Sequence, residues 1–122
     1  MFSTPGLSQY ISGVIVFDET LKRARDADGV LLRDKIKSAG IILGIKVDSG
    51  TSALPGTYGY ESATQGLDNL AERCQEYYKL GCRFAKWRAI YKISDTTPSA
   101  ACIQENAWGL ARYGTASSVL IF

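Results

Sequence analysis

Lys86 and Arg88 stand two residues apart in FAKWRAIYKI, residues 84–93, a run otherwise rich in Phe, Trp, Ala, Ile and Tyr. Side chains alternate across a strand, so a strand here groups Lys86 and Arg88 with Phe84 and Ile90 on one face. Ala85, Trp87, Ala89 and Tyr91 share the other. The run IILGIKV, residues 41–47, repeats the theme: Gly44, Lys46 and Asp48 fall on one side, Ile45 and Val47 on the other. An unpaired charge is costly to bury. Three cations converging from neighbouring strands therefore need carboxylates, solvent or an anionic ligand. A phosphate-bearing ligand suits them, because arginine clamps phosphate oxygens with a planar fork and lysine acts as a point charge. A lysine among other cations is also a readier proton acceptor, and Asp48 is placed to orient or neutralise Lys46. The same residues equally suit a structural ion-pair network with Asp48 or Glu61. Spacing alone does not choose between the two.

The elements that must carry these residues alternate along the chain. YISGVIVF (10–17) reads as a first strand, followed by a polar connection, DETLKRARDADG, and a helical stretch from Val30 to Ser38 that Gly40 stops. The second strand is residues 41–47. A long connection, residues 49–66, then carries four glycines and one proline, and its length marks it as functional or partly mobile. Leu67, Leu70, Ala71, Cys74, Tyr77 and Tyr78 recur at helical spacing, and Gly81 sits where a C-terminal cap belongs. The strand 84–93 follows. Thr97 as N-cap and Pro98 in the first turn announce a last helix with Ile103, Ala107, Leu110 and Ala111 along one face. Tyr77, Tyr78 and Trp87 read as packing residues, and the basic clusters at 22–25 and 33–37 as solvated surface.

Three strand–helix repeats imply parallel strands joined by right-handed crossovers, covered on both faces. A small doubly wound sheet and part of a (β/α)8 barrel both fit. No glycine-rich phosphate motif follows a strand, whereas inward-pointing cations favour the barrel, whose interior ends near its active site.

Composition narrows the remaining classes. The chain has 122 residues, room for one domain. Its 46% hydrophobic and 21% charged content argues against disorder. A net charge of +2 is too small for nucleic acid or an anionic membrane to be the main partner. Cys74, Cys82 and Cys102 form no CxxC pair, and no histidine is present to complete a zinc site. Reduced thiols in a cytoplasmic protein are the simplest expectation. The N-terminal residues lack the pattern of a signal peptide, and no apolar run reaches the ~20 residues of a membrane span.

Taken together, TPGLSQYISGVIVFDETL, GIKVDSGT, ATQGLDNLAERCQEYYKLG, RFAKWRAIYKI, TPSA and ENAWGLARY resemble the class I fructose-1,6-bisphosphate aldolases, segment by segment and in that family's order. TQGLD and FAKWR carry most of the specificity. The resemblance implies a (β/α)8 barrel that cleaves fructose 1,6-bisphosphate into two triose phosphates through a lysine imine, with no metal and no other cofactor. It implies catalytic roles for Lys86 and Lys46, with Lys86 touching substrate near the imine carbon, and a phosphate-binding role for Arg88. Whole members of the family are homo-oligomers.

Two departures accompany the resemblance. Ser49 stands where the family usually has a second lysine, and GTASSVLIF (114–122) replaces the family's continuation. Residues 1–113 are thus expected to be a partial aldolase barrel, three of its eight βα units, and 114–122 a divergent tail of a truncated form. No residue matches the family's imine-forming lysine, so the chain by itself is expected to be inactive. The alternative is a non-catalytic aldolase fragment that at most binds sugar phosphate or pairs with other aldolase chains.

Overall fold

The apolar runs do pair as parallel strands, but over shorter spans than their composition suggests. A computed structural model describes residues 2, 4–57 and 61–121. The elements are β1 (Gly13–Val16), α1 (Asp18–Arg23), α2 (Leu32–Ser38), β2 (Ile42–Lys46), β3 (Gly50–Ala53), β4 (Ser62–Gln65), α3 (Leu70–Lys79), β5 (Cys82–Lys86) and α4 (Ala100–Ser117). One-turn 3-10 helices lie at Leu7–Gln9 and Ser118–Leu120.

Strands β1, β2 and β5 form one sheet in that order, both pairings parallel. Side chains on one face, including Val14, Val16, Leu43, Ile45 and Val47, are buried against Leu21, Ile36, Leu70, Cys74, Tyr77 and Leu120 from the helices. The opposite face is open. There Ile15 is 46% exposed, Ile42 49% and Phe17 63%. The sheet and its covering helices are thus three consecutive units of a (β/α)8 barrel, with the open face where the interior of a barrel lies.

One irregularity sets which side chains reach that open face. Leu43 pairs with Cys82, but Gly44 pairs with Phe84, so Arg83 is an extra residue in β5. Such a bulge reverses the phase of alternation. Cys82 is fully buried on the helix side, while Phe84 two residues later turns outward. Its ring lies over Gly44 and Gly13: a β-carbon at Gly44 would come within 2.3 Å of the ring, and one at Gly13 within 3.2 Å.

Several elements differ from their sequence-based expectation. The strand expected over 84–93 ends at Lys86, because β2 offers no pairing beyond the Val47 N–H that donates to the Lys86 carbonyl at 3.1 Å. Part of the polar connection after the first strand is helix α1. Asp18 and Glu19 open it, Lys22 and Arg23 close it, and Lys22 reaches Asp18 at 2.8 Å, an arrangement that complements the helix dipole. Most of the connection 49–66 is an antiparallel hairpin of β3 and β4, registered Gly50 to Gln65 and Ala53 to Ser62; residues 58–60 lie outside the described ones. The last helix starts at Ala100, capped by Ser99, whose hydroxyl accepts from the Cys102 N–H at 3.2 Å. Thr97 and Pro98 precede it, joined by a cis peptide bond.

Helix α4 also buries a different stripe from the one its aliphatic residues suggest. Ile103 is 47% and Leu110 38% exposed, with Ala107 and Ala111 also at the surface. The inner positions are Cys102, Asn106, Tyr113, Ala116 and, just past the helix, Leu120. Their spacing of four, seven, three and four residues is that of one helical face. The helix runs past Tyr113 to Ser117 without a break, and Leu120 is fully buried in the core. All three cysteines are free thiols and buried. Burial pushes the Cys82 thiol up to about 11, so it packs as a small neutral group. Among the described residues no helix is long and apolar enough to cross a membrane.

Glu61 ties the hairpin to α4. It is only 2% exposed, and its carboxylate accepts from the Ser99 N–H at 2.7 Å and the Ser99 hydroxyl at 2.5 Å. It therefore serves the start of a helix, where a negative charge is favoured, and is not the counter-ion of the strand cations. The Ser99 hydrogen bonds hold its carboxyl below the usual glutamate range, against the opposing push of desolvation. A carboxyl depressed in the folded state stabilises it above the ordinary value of about 4.3. That contribution is lost as pH falls through the folded value. Urea denaturation from pH 6 to pH 2.5 should show wild-type stability falling below about pH 4.3, and Glu61→Gln should flatten the fall. Parallel acid profiles for the two proteins would rule out this role for Glu61.

Candidate functional site

The open sheet face brings two of the sequence-predicted residues side by side. Lys46 and Lys86 occupy matched positions of β2 and β5. Strands in register lie about 4.8 Å apart, so the two side chains leave the sheet as neighbours on the same face. Lys46 is the better anchored. Its ammonium donates to Asp48 Oδ1 at 2.9 Å and to the Asp48 main-chain carbonyl at 2.7 Å, and it lies 5.6 Å from the centroid of the Phe17 ring, a cation–π distance. Among the described residues the Lys86 ammonium has no hydrogen-bonding or ionic partner. Arg88 lies two residues past the end of β5 and is exposed.

Asp48 is held more firmly than its place in a connection would suggest. Its side chain is fully buried, and Oδ1 also accepts from the Gly50 N–H at 3.2 Å. Oδ2 is buried and has no partner among the described residues. The surrounding backbone is packed on Gly66, where a β-carbon would meet Ser49 N at 2.9 Å and Asp48 Cα at 3.1 Å, at a φ of +122° that also favours glycine. Arg73 reaches over from α3 and donates to the Val47 carbonyl at 3.1 Å and to the Gly66 carbonyl. One guanidinium thus joins the end of β2 to the end of the hairpin.

The backbone around Lys86 is gripped from the helix side. Tyr113 of α4 donates its hydroxyl to the Ala85 carbonyl at 2.9 Å. Its ring stacks on Trp87 with centroids 5.2 Å apart. Trp87 therefore packs toward the helices, as alternation predicted, and Lys86 stands between two residues that Tyr113 contacts. Beyond the strand, Thr64 of β4 donates its hydroxyl to the Arg88 carbonyl at 2.6 Å.

Sequence reasoning named Lys46, Asp48, Lys86 and Arg88 but missed these supports. Arg73 had a legible signal: with Leu70, Cys74 and Tyr77 it follows the inner-face spacing of α3, which aims a long cation inward. Thr64 and Tyr113 act across 24 and 28 residues, and no local pattern encodes such contacts. Among the described residues, no group of three or more Cys, Asp or Glu side chains is arranged to hold a metal ion.

Comparison with known proteins matches this architecture. The family model described as "Glycolytic: Fructose-bisphosphate aldolase class-I" covers residues 1–119. Cytosolic fructose-bisphosphate aldolase 4 of Arabidopsis thaliana is 56% identical over 113 residues, 93% of this chain and 28% of the relative. The cytoplasmic isozyme of Spinacia oleracea is 57% identical over 114 residues, 93% of this chain and 31% of the relative. A solved structure of fructose-bisphosphate aldolase from Plasmodium falciparum, in a ternary complex with TRAP and a small-molecule inhibitor, aligns with a TM-score of 0.90 at 48% identity. That alignment covers 96% of this chain and 34% of the other. The chain therefore spans about a third or less of the length of the relatives it matches.

The Lys46–Asp48 pair yields a stability test. Asp48→Ala leaves a half-buried ammonium with only a main-chain carbonyl and removes the acceptor of the Gly50 N–H. It should cost about 2–3 kcal/mol, read as a lower urea midpoint. A loss within about 0.5 kcal/mol, the range of an ordinary surface substitution, would mean that the pair contributes little to the fold.

Proposed function

The chain belongs to the class I fructose-bisphosphate aldolase family, and on that premise we propose that its open sheet face supplies the phosphate-holding and proton-handling part of a site that cleaves fructose 1,6-bisphosphate. The observation that carries this reading is the matched placement of Lys46 and Lys86 on one open face, with Arg88 just beyond it. Two ammonium groups and a guanidinium with one carboxylate among them leave a local excess of positive charge. A doubly phosphorylated sugar is a fitting counter-ion.

The roles follow from what each group can do. Arg88 offers a planar set of donors to phosphate oxygens. The Lys86 ammonium, without a partner among the described residues, can exchange a proton with a substrate atom brought beside it. Lys46, held by Asp48, presents a fixed positive charge, and Asp48 acts by orienting it. The imine route through a lysine amine needs no metal. None of the seven lysines matches the family's imine-forming position, so these 122 residues by themselves bind substrate without cleaving it. The cytoplasm is the compartment this reading assigns, after relatives named as cytosolic isozymes. Sugar phosphate is the partner it assigns, and self-association belongs to the whole family protein.

Two measurements test the reading. Arg88→Ala should weaken fructose 1,6-bisphosphate binding about tenfold, the effect of losing one charge-assisted hydrogen bond of about 1.5 kcal/mol. Superimposable titrations for mutant and wild type would give Arg88 a structural role only. The 122-residue chain, incubated with dihydroxyacetone phosphate and reduced with borohydride, should show no stoichiometric adduct on any single lysine by mass spectrometry. A full adduct together with measurable cleavage would overturn the inactivity of the isolated chain.

A further inference from the structure

Arg88 lies outside the sheet, yet a phosphate clamp must be held in place to be useful. β5 ends at Lys86, and among the described residues one hydrogen bond reaches Arg88: the Thr64 hydroxyl donating to its carbonyl at 2.6 Å. The element that carries Thr64 is itself tied at both ends. At one end the Ser49 N–H donates to the Gln65 carbonyl at 3.0 Å, and Arg73 joins Gly66 to Val47. At the other, Glu61 holds Ser99 at the start of α4. The hairpin thus spans from the end of β2, where Lys46 and Asp48 sit, to the start of α4. Thr64 projects from it onto the segment between.

We propose that Thr64 is a positioning residue for Arg88, holding the backbone after β5 so that the guanidinium meets a sugar-phosphate group beside Lys86 and Lys46. This rests on the reading of Arg88 as a phosphate ligand. Without the tether, residues 87–90 have a stacked Trp87 at one end and an exposed Ile90 at the other. Binding an anion then carries the added cost of ordering the segment, which a preorganised one avoids. The Thr64 bond lies at the surface, so losing it weakens binding far more than it weakens the fold.

The test uses the 122-residue chain and fructose 1,6-bisphosphate as probe. Titrations compare wild type, Thr64→Val, Thr64→Ser, Arg88→Ala and the Thr64→Val/Arg88→Ala double variant. Amide 15N relaxation at Arg88, without ligand, reports order on the picosecond-to-nanosecond scale. Thr64→Val should weaken binding about three- to tenfold, the worth of one neutral hydrogen bond, and lower the order at Arg88. Thr64→Ser should restore both, and the double variant should bind no more weakly than Arg88→Ala alone. Normal binding by Thr64→Val, failure of serine to rescue, or a further loss in the double variant overturns the proposal while leaving Arg88 as a ligand. Wild-type binding by Arg88→Ala instead overturns the phosphate role of Arg88, and with it the function assigned to Thr64.

Discussion

Like charges at matched positions of neighbouring strands repel, and Lys46 and Lys86 are placed in that way by the parallel pairing of β2 with β5. The arrangement persists because the two are treated differently. Lys46 is compensated by Asp48, while Lys86 opens onto the uncovered face. Much of the surrounding structure serves this asymmetry. Asp48 holds its place through Gly50, the close approach of Gly66 and the Arg73 link from α3 to the end of β2. On the reading proposed above, the repulsion left uncompensated is what an incoming anion relieves, so that the energetic cost of the site and its affinity share one origin.

Parallel sheets ordinarily bury both faces. Here the helices bury one and leave Ile15, Phe17, Ile42 and the Phe84 ring on the other. That division gives the open face its chemistry. Apolar side chains stand around the charges there. The helix side contributes rigidity instead. Tyr113 grips Ala85 and Trp87 on either side of Lys86, so a residue far along the chain fixes the backbone of a residue on the opposite face.

The parts legible in the sequence are those set by local period. The three parallel strands, the helices at 32–38 and 70–79, and the shared face of Lys46 and Lys86 followed from alternation and helical spacing. The unread parts are set by distant partners. The strand at 84–93 was overextended because Ile90, Tyr91 and Ile93 look strand-forming, yet a strand lasts only as long as its neighbour pairs with it. The hairpin was missed because its strands, GTSA and SATQ, are short and polar and lack apolar alternation, so Pro55-Gly56 reads as a bend within a loop. The inner stripe of α4 was misassigned because Cys102, Asn106 and Tyr113 lie inside while Ile103 and Leu110 lie outside. There hydrogen bonding outweighs hydrophobicity: Asn106 donates to the Ser62 carbonyl at 2.9 Å and so docks the helix on the hairpin. Of the site, the charged groups were visible; of their supports, Arg73 left a local signal while Thr64 and Tyr113 left none.

The extra residue in β5 bears on which register this strand can hold. Arg83 works as a parity switch. Were it to take a regular paired place opposite Gly44 while Cys82 stays buried, Phe84 and Lys86 would turn to the helix side and Ala85 to the open face. The sequence would be unchanged, yet an ammonium would point into an apolar layer and the glycines at 13 and 44 would face no ring. One arginine whose own side chain lies at the surface, stacked on Tyr78, thereby guards the reading frame of the site in three dimensions.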